Sequence, residues 1–395
     1  MAKPFLSFED QLNKLENEKG LVINNRIYAE KKLREIGYFG LIGGYKSPFK
    51  NPTTKKYRDG VAFEDIVALY KFDENLRELF LKYILRFERH IRSLLSYYFT
   101  EKHGEQQSCY LDPANYVPDH KRRTDVAKLI GTLNNLATKS SDYPYINHQR
   151  ITYGNVPLWV LVNGLTFGTL SKFYALTTPD LRVKISKNFD GVNEKQLGQY
   201  LKVITKFRNV CAHNERLFSY QTKNDIPDTV LHRKLSIPKR GTQYLYGKRD
   251  LFALVIAFRY LLPSEDFKKF KQGLSKIFAH YFPPYPRISN ALSCLFVKIS
   301  RINSFFDQLS KSLCHRSLVF LISYTKPGVP ALQYINSCLS LLDQLVDHNR
   351  KKVFFLNIFW FQILKKFNKT FFQCIHKCRS KSPHIHGNQA LNIQF

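Results

Sequence analysis

The apolar residues between Asp73 and Phe99 recur at steps of three and four positions. This spacing follows the 3.6-residue period of an α-helix and gathers the apolar side chains on one face. Asp73 is a suitable N-cap residue, and Glu74 falls in the first turn. The pattern predicts one long amphipathic helix with a core face of Leu76, Leu79, Phe80, Tyr83, Ile84, Phe87, Ile91, Leu94, Leu95 and Tyr98.

Three further segments have helical patterns. One starts after Pro157, where Gly164 weakens the helix but permits close contact between helices. Another runs from about Glu194 to His213, and the last from Asp250 to about Tyr281 with an interruption near Pro263. Because no run of alternating apolar and polar residues predicts strands, we expect an all-α helical bundle.

Two segments, 37–60 and 221–249, are rich in Gly, Pro, Lys and Asn and are predicted to be long basic loops. The composition changes after Pro286: residues 287–395 contain fifteen Lys and Arg, three Asp and no Glu. We therefore predict a helical domain over 1–286 and a basic C-terminal extension over 287–395. The extension is either an RNA-binding segment or a fused or frameshifted end.

The formal net charge of +30 in 395 residues predicts an anionic partner. Nucleic acid is the first candidate and an anionic membrane surface the second. The most apolar segment, Val353 to Leu364, is shorter than the ~18–20 residues that cross a bilayer. It suits a buried helix or an interfacial anchor, so no stable membrane insertion is expected.

The chain begins with a polar, acidic stretch that does not have the pattern of a secretory signal. Its seven Cys are scattered and odd in number, which favours reduced thiols over a disulfide framework. Both observations predict a cytoplasmic protein.

The segment 197–218 contains the most informative pattern in the chain. At 100° per residue, an apolar stripe forms on one side. The opposite face carries polar groups able to contact RNA, namely Lys202, Lys206, Asn209, His213 and, if the helix continues, Arg216. Arg208 instead projects into the apolar sector, where its charge must find a carboxylate, a carbonyl or a phosphate.

Arg208 and His213 suit metal-free cleavage of RNA. A neutral imidazole can take the proton from a ribose 2′-hydroxyl, and a fixed guanidinium can stabilise charge on the phosphate. Residues five apart differ by about 140° on an ideal helix, so the Arg side chain must curl or the helix must distort. Asn209 and His213, four apart, share a face. The candidate catalytic residues are therefore Arg208, Asn209 and His213, with no metal and no cofactor.

One copy of this site has no general acid. A two-fold homodimer would supply a second histidine and a second arginine. The expected products are a 2′,3′-cyclic phosphate and a 5′-hydroxyl, and DNA is expected to resist because it has no 2′-oxygen.

The sequence RNVCAHNERLF resembles the Arg-x4-His signature of HEPN ribonucleases, in the form typical of the Abi-like (AbiD/AbiF) abortive-infection family. GYFGLIGGYKSPF, the region of the long helix and VPLWVLVNGLTFGTLSKFYAL extend the resemblance to roughly residues 5–282. It implies an all-helical HEPN fold, a homodimer and RNA cleavage in phage defence. Some members of the family work with a structured noncoding RNA, which would suit the charge.

Three other clusters of residues need an interpretation. In Arg86-Phe-Glu-Arg89-His90-Ile-Arg92, Glu88 either pairs with Arg208 across a helix interface or belongs to a solvated basic face. Cys374, Cys378, His376, His384 and His386 suggest zinc, but their spacing fits no standard finger. The glycines near residue 43 do not form a phosphate loop, since no Gly-Lys-Ser/Thr follows.

The sequence thus predicts a dimeric, metal-independent endoribonuclease acting on single-stranded or looped RNA. Two alternatives stay open: an RNA-binding protein that uses the same residues without cleavage, and a membrane-active defence protein that uses the aromatic segment of the extension.

Overall fold

The computed structural model describes residues 4–139, 142–288 and Leu292. Its α-helices are α1 (Phe8–Asn13), α2 (Arg26–Ile36), α3 (Phe63–His103), α4 (Gln107–Leu111), α5 (Arg123–Thr138), α6 (Pro144–Tyr153), α7 (Leu158–Leu161), α8 (Phe167–Leu176), α9 (Pro179–Ser186), α10 (Glu194–Ala212), α11 (Val230–Lys234), α12 (Leu251–Leu261) and α13 (Ser264–Tyr281). Short π-helical and 3-10 turns lie between some of them. The strands of the described part are β1 (Lys239–Arg240) and β2 (Gln243–Tyr244), which pair as an antiparallel hairpin. The all-α prediction is confirmed.

Helix α3 is the centre of the fold and contacts α7, α8, α9, α10 and α13. Its predicted core face is confirmed, with Leu79, Leu94 and Tyr98 half-buried and the other members buried. The predicted start at Asp73 is wrong. The helix begins ten residues earlier at Phe63, where the Asp65 carboxylate accepts a hydrogen bond from the Ala62 N–H at 2.9 Å. Asp73 is fully buried inside the helix.

The segment predicted to form one helix after Pro157 is divided. Helix α7 ends at Leu161, a 3-10 turn covers Val162–Gly164, and Thr166 caps α8 by accepting a hydrogen bond from the Thr169 N–H. The predicted close approach at Gly164 is confirmed: a Cβ there would lie 2.9 Å from Leu136 Cδ2 and 3.1 Å from Ile146 Cδ1. The break therefore lets α5 and α6 pack against the turn.

The predicted helix from Asp250 to Tyr281 consists of α12 and α13, with the expected interruption at Pro263. Asp250 caps α12 by accepting a hydrogen bond from the Ala253 N–H at 3.1 Å. Phe258 of α12 and Phe270 of α13 pack edge to face with centroids 5.0 Å apart, and Phe80 of α3 contacts both rings. This aromatic cluster joins the last two helices to the centre of the fold.

The two predicted loops contain only short regular elements. Residues 37–60 include a π-helical turn at Phe39–Gly43 and a 3-10 turn at Ser47–Phe49, and 221–249 include α11 and the hairpin. No helix in the described part of the chain is long and apolar enough to cross a membrane. Of the proposed extension, the structure describes only Arg287, Ile288 and Leu292, so its zinc candidate and the apolar segment 353–364 lie outside the described residues.

Candidate functional site

Helix α10, which carries Arg208 and Asn209, is fixed at its start by a reciprocal cap. The Asn193 side chain accepts a hydrogen bond from the Gln196 N–H at 2.9 Å, and Gln196 Oε1 accepts one from the Asn193 N–H at 3.0 Å. Such a capping box satisfies backbone donors that have no partner within the helix. The predicted N-terminal boundary of this helix is confirmed.

The helix ends where the motif ends. His213 is the C-cap residue and Asn214 takes a left-handed φ of 54°. The Glu215 N–H then donates to the Val210 carbonyl at 3.0 Å, which is the hydrogen bond of a Schellman motif. The chain therefore turns away immediately after His213.

Arg208 forms an ion pair with a carboxylate, one of the partners that its position among apolar residues called for. Its Nε lies 3.7 Å from Glu88 Oε2, and the two side chains are 31% and 5% exposed. Glu88 belongs to α3, so this ion pair crosses the interface between α3 and α10. The pairing predicted as one alternative for Glu88 is confirmed.

Glu88 also binds a second arginine. Its other oxygen, Oε1, accepts a hydrogen bond from Arg92, one turn further along α3. Arg92 in turn donates to the carbonyls of Asn163 at 2.8 Å and Leu165 at 2.7 Å, on either side of Gly164. Glu88 thus shares its charge between an arginine fixed to the backbone and Arg208, whose guanidinium makes no hydrogen bond to any described residue.

The polar face of α10 is open to solvent. Lys202, Lys206, Asn209 and His213 are exposed, as the helical projection predicts. The His213 ring makes no hydrogen bond within the described part of the chain, and its backbone N–H donates to the Asn209 carbonyl at 2.9 Å. An exposed imidazole therefore lies at the end of the helix that holds the paired Arg208.

The placement of Arg216 on this face is wrong. The helix does not continue past Ala212, because Asn214 adopts the left-handed conformation. Arg216 instead donates from Nη1 to the Gly44 carbonyl at 2.6 Å. It therefore fastens the 37–60 segment beside the motif, while its side chain stays exposed.

A buried hydrogen-bond network around Asp73, which the sequence did not predict, fixes the chain that follows the motif. The Asp73 carboxylate accepts hydrogen bonds from the backbone N–H groups of Leu217 at 2.9 Å and Phe218 at 2.7 Å. It also accepts from the Tyr45 hydroxyl and from Arg77 Nη1, each at 2.8 Å. Asp73 and Arg77 project into the apolar stripe of α3, and this is the signal that would have identified them.

The thiol of Cys211, which lies between Arg208 and His213 in the sequence, is unreactive near neutral pH. Burial, helped by the charge of Asp73, raises the pKa of Cys211 to about 12. Since the thiolate is the nucleophilic form, Cys211 stays a protonated core residue near neutral pH. Burial also raises the pKa of Tyr45, so its hydroxyl remains a hydrogen-bond donor to Asp73.

Within residues 4–139 and 142–288, no three His, Cys, Asp or Glu side chains gather in a way that would hold a metal ion. The predicted site residues on α10 and at its end offer a guanidinium, an imidazole, an amide and the amino groups of Lys202 and Lys206. Such groups bind phosphate and move protons.

Comparison with known proteins gives a family. The model of the Abi-like proteins matches residues 31–219, from within α2 to just beyond the motif. Over this segment, the chain is similar to the Abi-like family. The family name refers to abortive infection, a form of phage defence. Comparisons with curated proteins and with solved structures gave no match.

The segment that matches the Abi-like family contains every residue of the candidate site. It includes α3 with Glu88 and Asp73, the 37–60 segment with Tyr45, and α10 with Arg208 and His213. Helices α12 and α13 lie outside the match and complete the core around α3.

Proposed function

We propose that this Abi-like protein is a metal-independent endoribonuclease of HEPN type that acts in phage defence. The observation that carries the proposal is the arrangement of α10: Arg208 is held by Glu88 on one side, and an exposed His213 ends the helix. The guanidinium offers a cation for the phosphate and the exposed imidazole offers a base for the 2′-hydroxyl, and a second copy of the chain would supply the acid.

In the proposed reaction, His213 takes the proton from a ribose 2′-hydroxyl. The 2′-oxygen then attacks the adjacent phosphorus, and the bond from phosphorus to the 5′-oxygen breaks. Arg208 stabilises the negative charge that builds on the phosphate oxygens, and Asn209 hydrogen-bonds to the same group. The leaving oxygen takes a proton from the second His213 of a homodimer, which gives a 2′,3′-cyclic phosphate and a 5′-hydroxyl.

Lys202 and Lys206 would guide the RNA backbone along the exposed face of α10. Because each neutralised phosphate releases counterions, their contribution should weaken as salt rises. The large basic charge also suits a bound structured noncoding RNA as a partner. Arg216 is not assigned a phosphate contact, since its Nη1 already donates to Gly44.

The test is cleavage of a labelled single-stranded RNA by the full-length protein, with the ends of the products identified. We expect His213→Ala to lower the rate by ~10²–10⁴-fold, the typical contribution of a general base. His120→Ala removes another exposed imidazole and is the matched control. Full cleavage by a folded His213→Ala protein would contradict the assignment.

Two controls test the reaction class. A substrate with 2′-deoxyribose throughout should not be cut, because it has no attacking oxygen. Cleavage should persist in excess EDTA, since the proposed chemistry uses only protein groups. Loss of activity on chelation and recovery with Mg²⁺ would point to a different class of nuclease.

The second candidate is a non-catalytic RNA-binding defence protein. The ion pair between Arg208 and Glu88 favours it, because a guanidinium already compensated by a carboxylate gives less stabilisation to a developing charge. In that case His213→Ala would weaken RNA binding, while the wild-type protein would leave the RNA intact.

A further inference from the structure

A pair of solvent-exposed tyrosines lies at the start of α6. Tyr143 and Tyr145 are each 40% exposed, and their ring centroids are 5.6 Å apart with planes tilted by 38°. Exposed apolar side chains that cluster on a surface often mark a binding site. Trp159 of α7 adds a third exposed aromatic side chain, at 49%.

Contacts between neighbouring residues connect this surface to the candidate active site. Ile146, next to Tyr145, packs on Gly164, and Arg92 donates to the carbonyls on both sides of that glycine. Burial and the neighbouring Tyr143 raise the pKa of Tyr145, and the positive charge of Arg92 opposes that rise. Arg92 then binds Glu88.

Glu88 completes the path to Arg208. A chain of contacts through Gly164, Arg92 and Glu88 therefore leads from α6, which carries the aromatic pair, to Arg208 of the motif. Trp159 belongs to the same region, since the Asn163 side chain donates to its carbonyl at 3.0 Å.

The charge of this region fits an anionic ligand with flat apolar parts. Two arginines flank one glutamate, and α6 carries Arg150 and no acidic side chain, while the exposed Asp142 precedes Tyr143. Proteins that bind single-stranded nucleic acid combine cationic groups along the backbone with aromatic rings on which bases stack. A base paired in a duplex has no free face to offer.

We propose that Tyr145, with Tyr143 in contact with it and Trp159 on the neighbouring helix α7, forms the stacking surface for an unpaired base of the RNA whose phosphate lies at Arg208. This proposal rests on the proposed function for the identity of the ligand, and it adds the side chains that would recognise an unpaired base. The surface selects for an accessible base face, and Arg208 and His213 then act on the neighbouring phosphate.

The test measures binding of a fluorescein-labelled single-stranded oligoribonucleotide to the full-length protein by anisotropy. All proteins carry His213→Ala, so that cleavage does not consume the probe. Tyr145→Ala should raise the Kd about tenfold, within the usual range for loss of one base–aromatic stack. Tyr145→Phe should keep the affinity, because the ring is retained.

Tyr97→Ala is the matched control. Tyr97 is 61% exposed and lies nine residues after Glu88 on α3, two and a half turns away and thus on the opposite side of the helix. The Tyr97→Ala protein should bind the RNA probe with an unchanged Kd. Two further measurements separate stacking from a general loss of structure: an abasic probe should bind Tyr145→Ala and the Tyr145 protein equally, and the slope of log Kd against log salt should not change.

Equal affinities of Tyr145→Ala and Tyr97→Ala would overturn the stacking surface, and so would an equal loss on the abasic probe. If Tyr145→Ala changed the oligomeric state of the protein, the surface would instead be a contact between copies of the chain. If binding depends on Tyr145 but the wild-type protein cleaves no RNA, the ribonuclease proposal fails and the stacking surface stands. If cleavage occurs and Tyr145→Ala has no effect, only the stacking surface fails.

Discussion

The carboxylate of Asp73 accepts a hydrogen bond from the backbone N–H of Leu217 at 2.9 Å, across 144 residues of sequence. Asp73 is in the interior of α3, and Leu217 lies four residues after His213. The end of α10 is therefore not held by its own cap alone. A fully buried acid on the central helix fixes the direction in which the chain leaves the motif.

Replacing Asp73 tests how much its buried interactions contribute to the free energy of unfolding. Asp73→Asn leaves Arg77 without its charged partner and turns an amide N–H₂ toward donors. Since breaking a buried ion pair typically costs ~3–5 kcal/mol, we expect a loss of that size in the free energy of unfolding, measured with urea. Tyr45→Phe removes one hydrogen bond from the same carboxylate and should cost ~1 kcal/mol.

Glu78→Gln is the control for Asp73→Asn, because Glu78 is exposed on the same helix. It should change stability by less than ~0.5 kcal/mol. Wild-type stability in Asp73→Asn would show that the network contributes little. The position of the chain after His213 would then need another explanation.

Glu88 is expected to act through Arg208 rather than on the substrate. In Glu88→Gln, the two arginines lose their shared counter-charge and Arg208 is no longer held at one position. If the proposed function is right, kcat should fall by ~10²-fold, the loss typical of a small misplacement of a positioned group, while KM changes little. Glu78→Gln should keep both constants, and helical content by circular dichroism should be unchanged in both variants.

A rise in kcat on Glu88→Gln would contradict this role for Glu88. It would mean that the carboxylate restrains the charge of Arg208 instead of positioning it.

The neutral state of His232 makes stability depend on pH. Its ring is fully buried: Nε2 contacts the Gly247 carbonyl at 2.8 Å, and Nδ1 accepts a hydrogen bond from the Thr229 N–H at 3.1 Å. Burial lowers its pKa below the ordinary 6.5, so the folded protein keeps it neutral in a range where the unfolded chain is protonated. The stability that the neutral His232 ring contributes is fully present above pH 6.5, and it is lost as the pH falls toward the pKa of the folded state.

In that window each such histidine contributes a slope of up to ~1.4 kcal/mol per pH unit. Burial also lowers the pKa values of His90 and His103, so the wild-type slope contains all three. Urea unfolding between pH 7 and 5 should give a shallower slope for His232→Gln than for the wild type. Parallel lines would show that His232 is not neutral in the folded protein.

The sequence predicted those parts of the fold that repeat a local period. The core face of α3, the extent of α10 and the break at Pro263 all follow from spacing, caps and proline within one segment. The same reasoning required a partner for Arg208, because a charge among apolar residues cannot stay unpaired. It offered pairing with Glu88 as one of two interpretations of the 86–92 cluster, beside a solvated basic face, and the structure confirms the pairing.

Long-range contacts account for what the sequence did not predict. Asp73 has the residue type of an N-cap, but its hydrogen-bond donors lie 144 residues away, beyond any local pattern. The error at Arg216 had a local signal, since Asn214 directly after His213 is a residue type that tolerates the left-handed conformation of a helix end. The sequence did not predict the aromatic surface at Tyr145, because the contacts that connect α6 to the motif pass through Arg92, which belongs to a different helix.

The last prediction concerns the dimer on which the proposed reaction depends. One copy of the motif offers a single Arg208 and a single His213, too few groups to take a proton, give a proton and neutralise the phosphate together. If two copies form each site, a dimer of wild-type and Arg208→Ala/His213→Ala subunits is inactive. Random exchange among two-fold dimers then makes activity follow the square of the wild-type fraction. We would measure initial cleavage rates across a mixing series, after mass spectrometry has established that subunits exchange. Mixing wild type with His120→Ala subunits is the control and should keep full activity at every ratio. A straight line against wild-type fraction would show that each motif works alone, and the composite site would then be wrong even if Arg208 and His213 are catalytic.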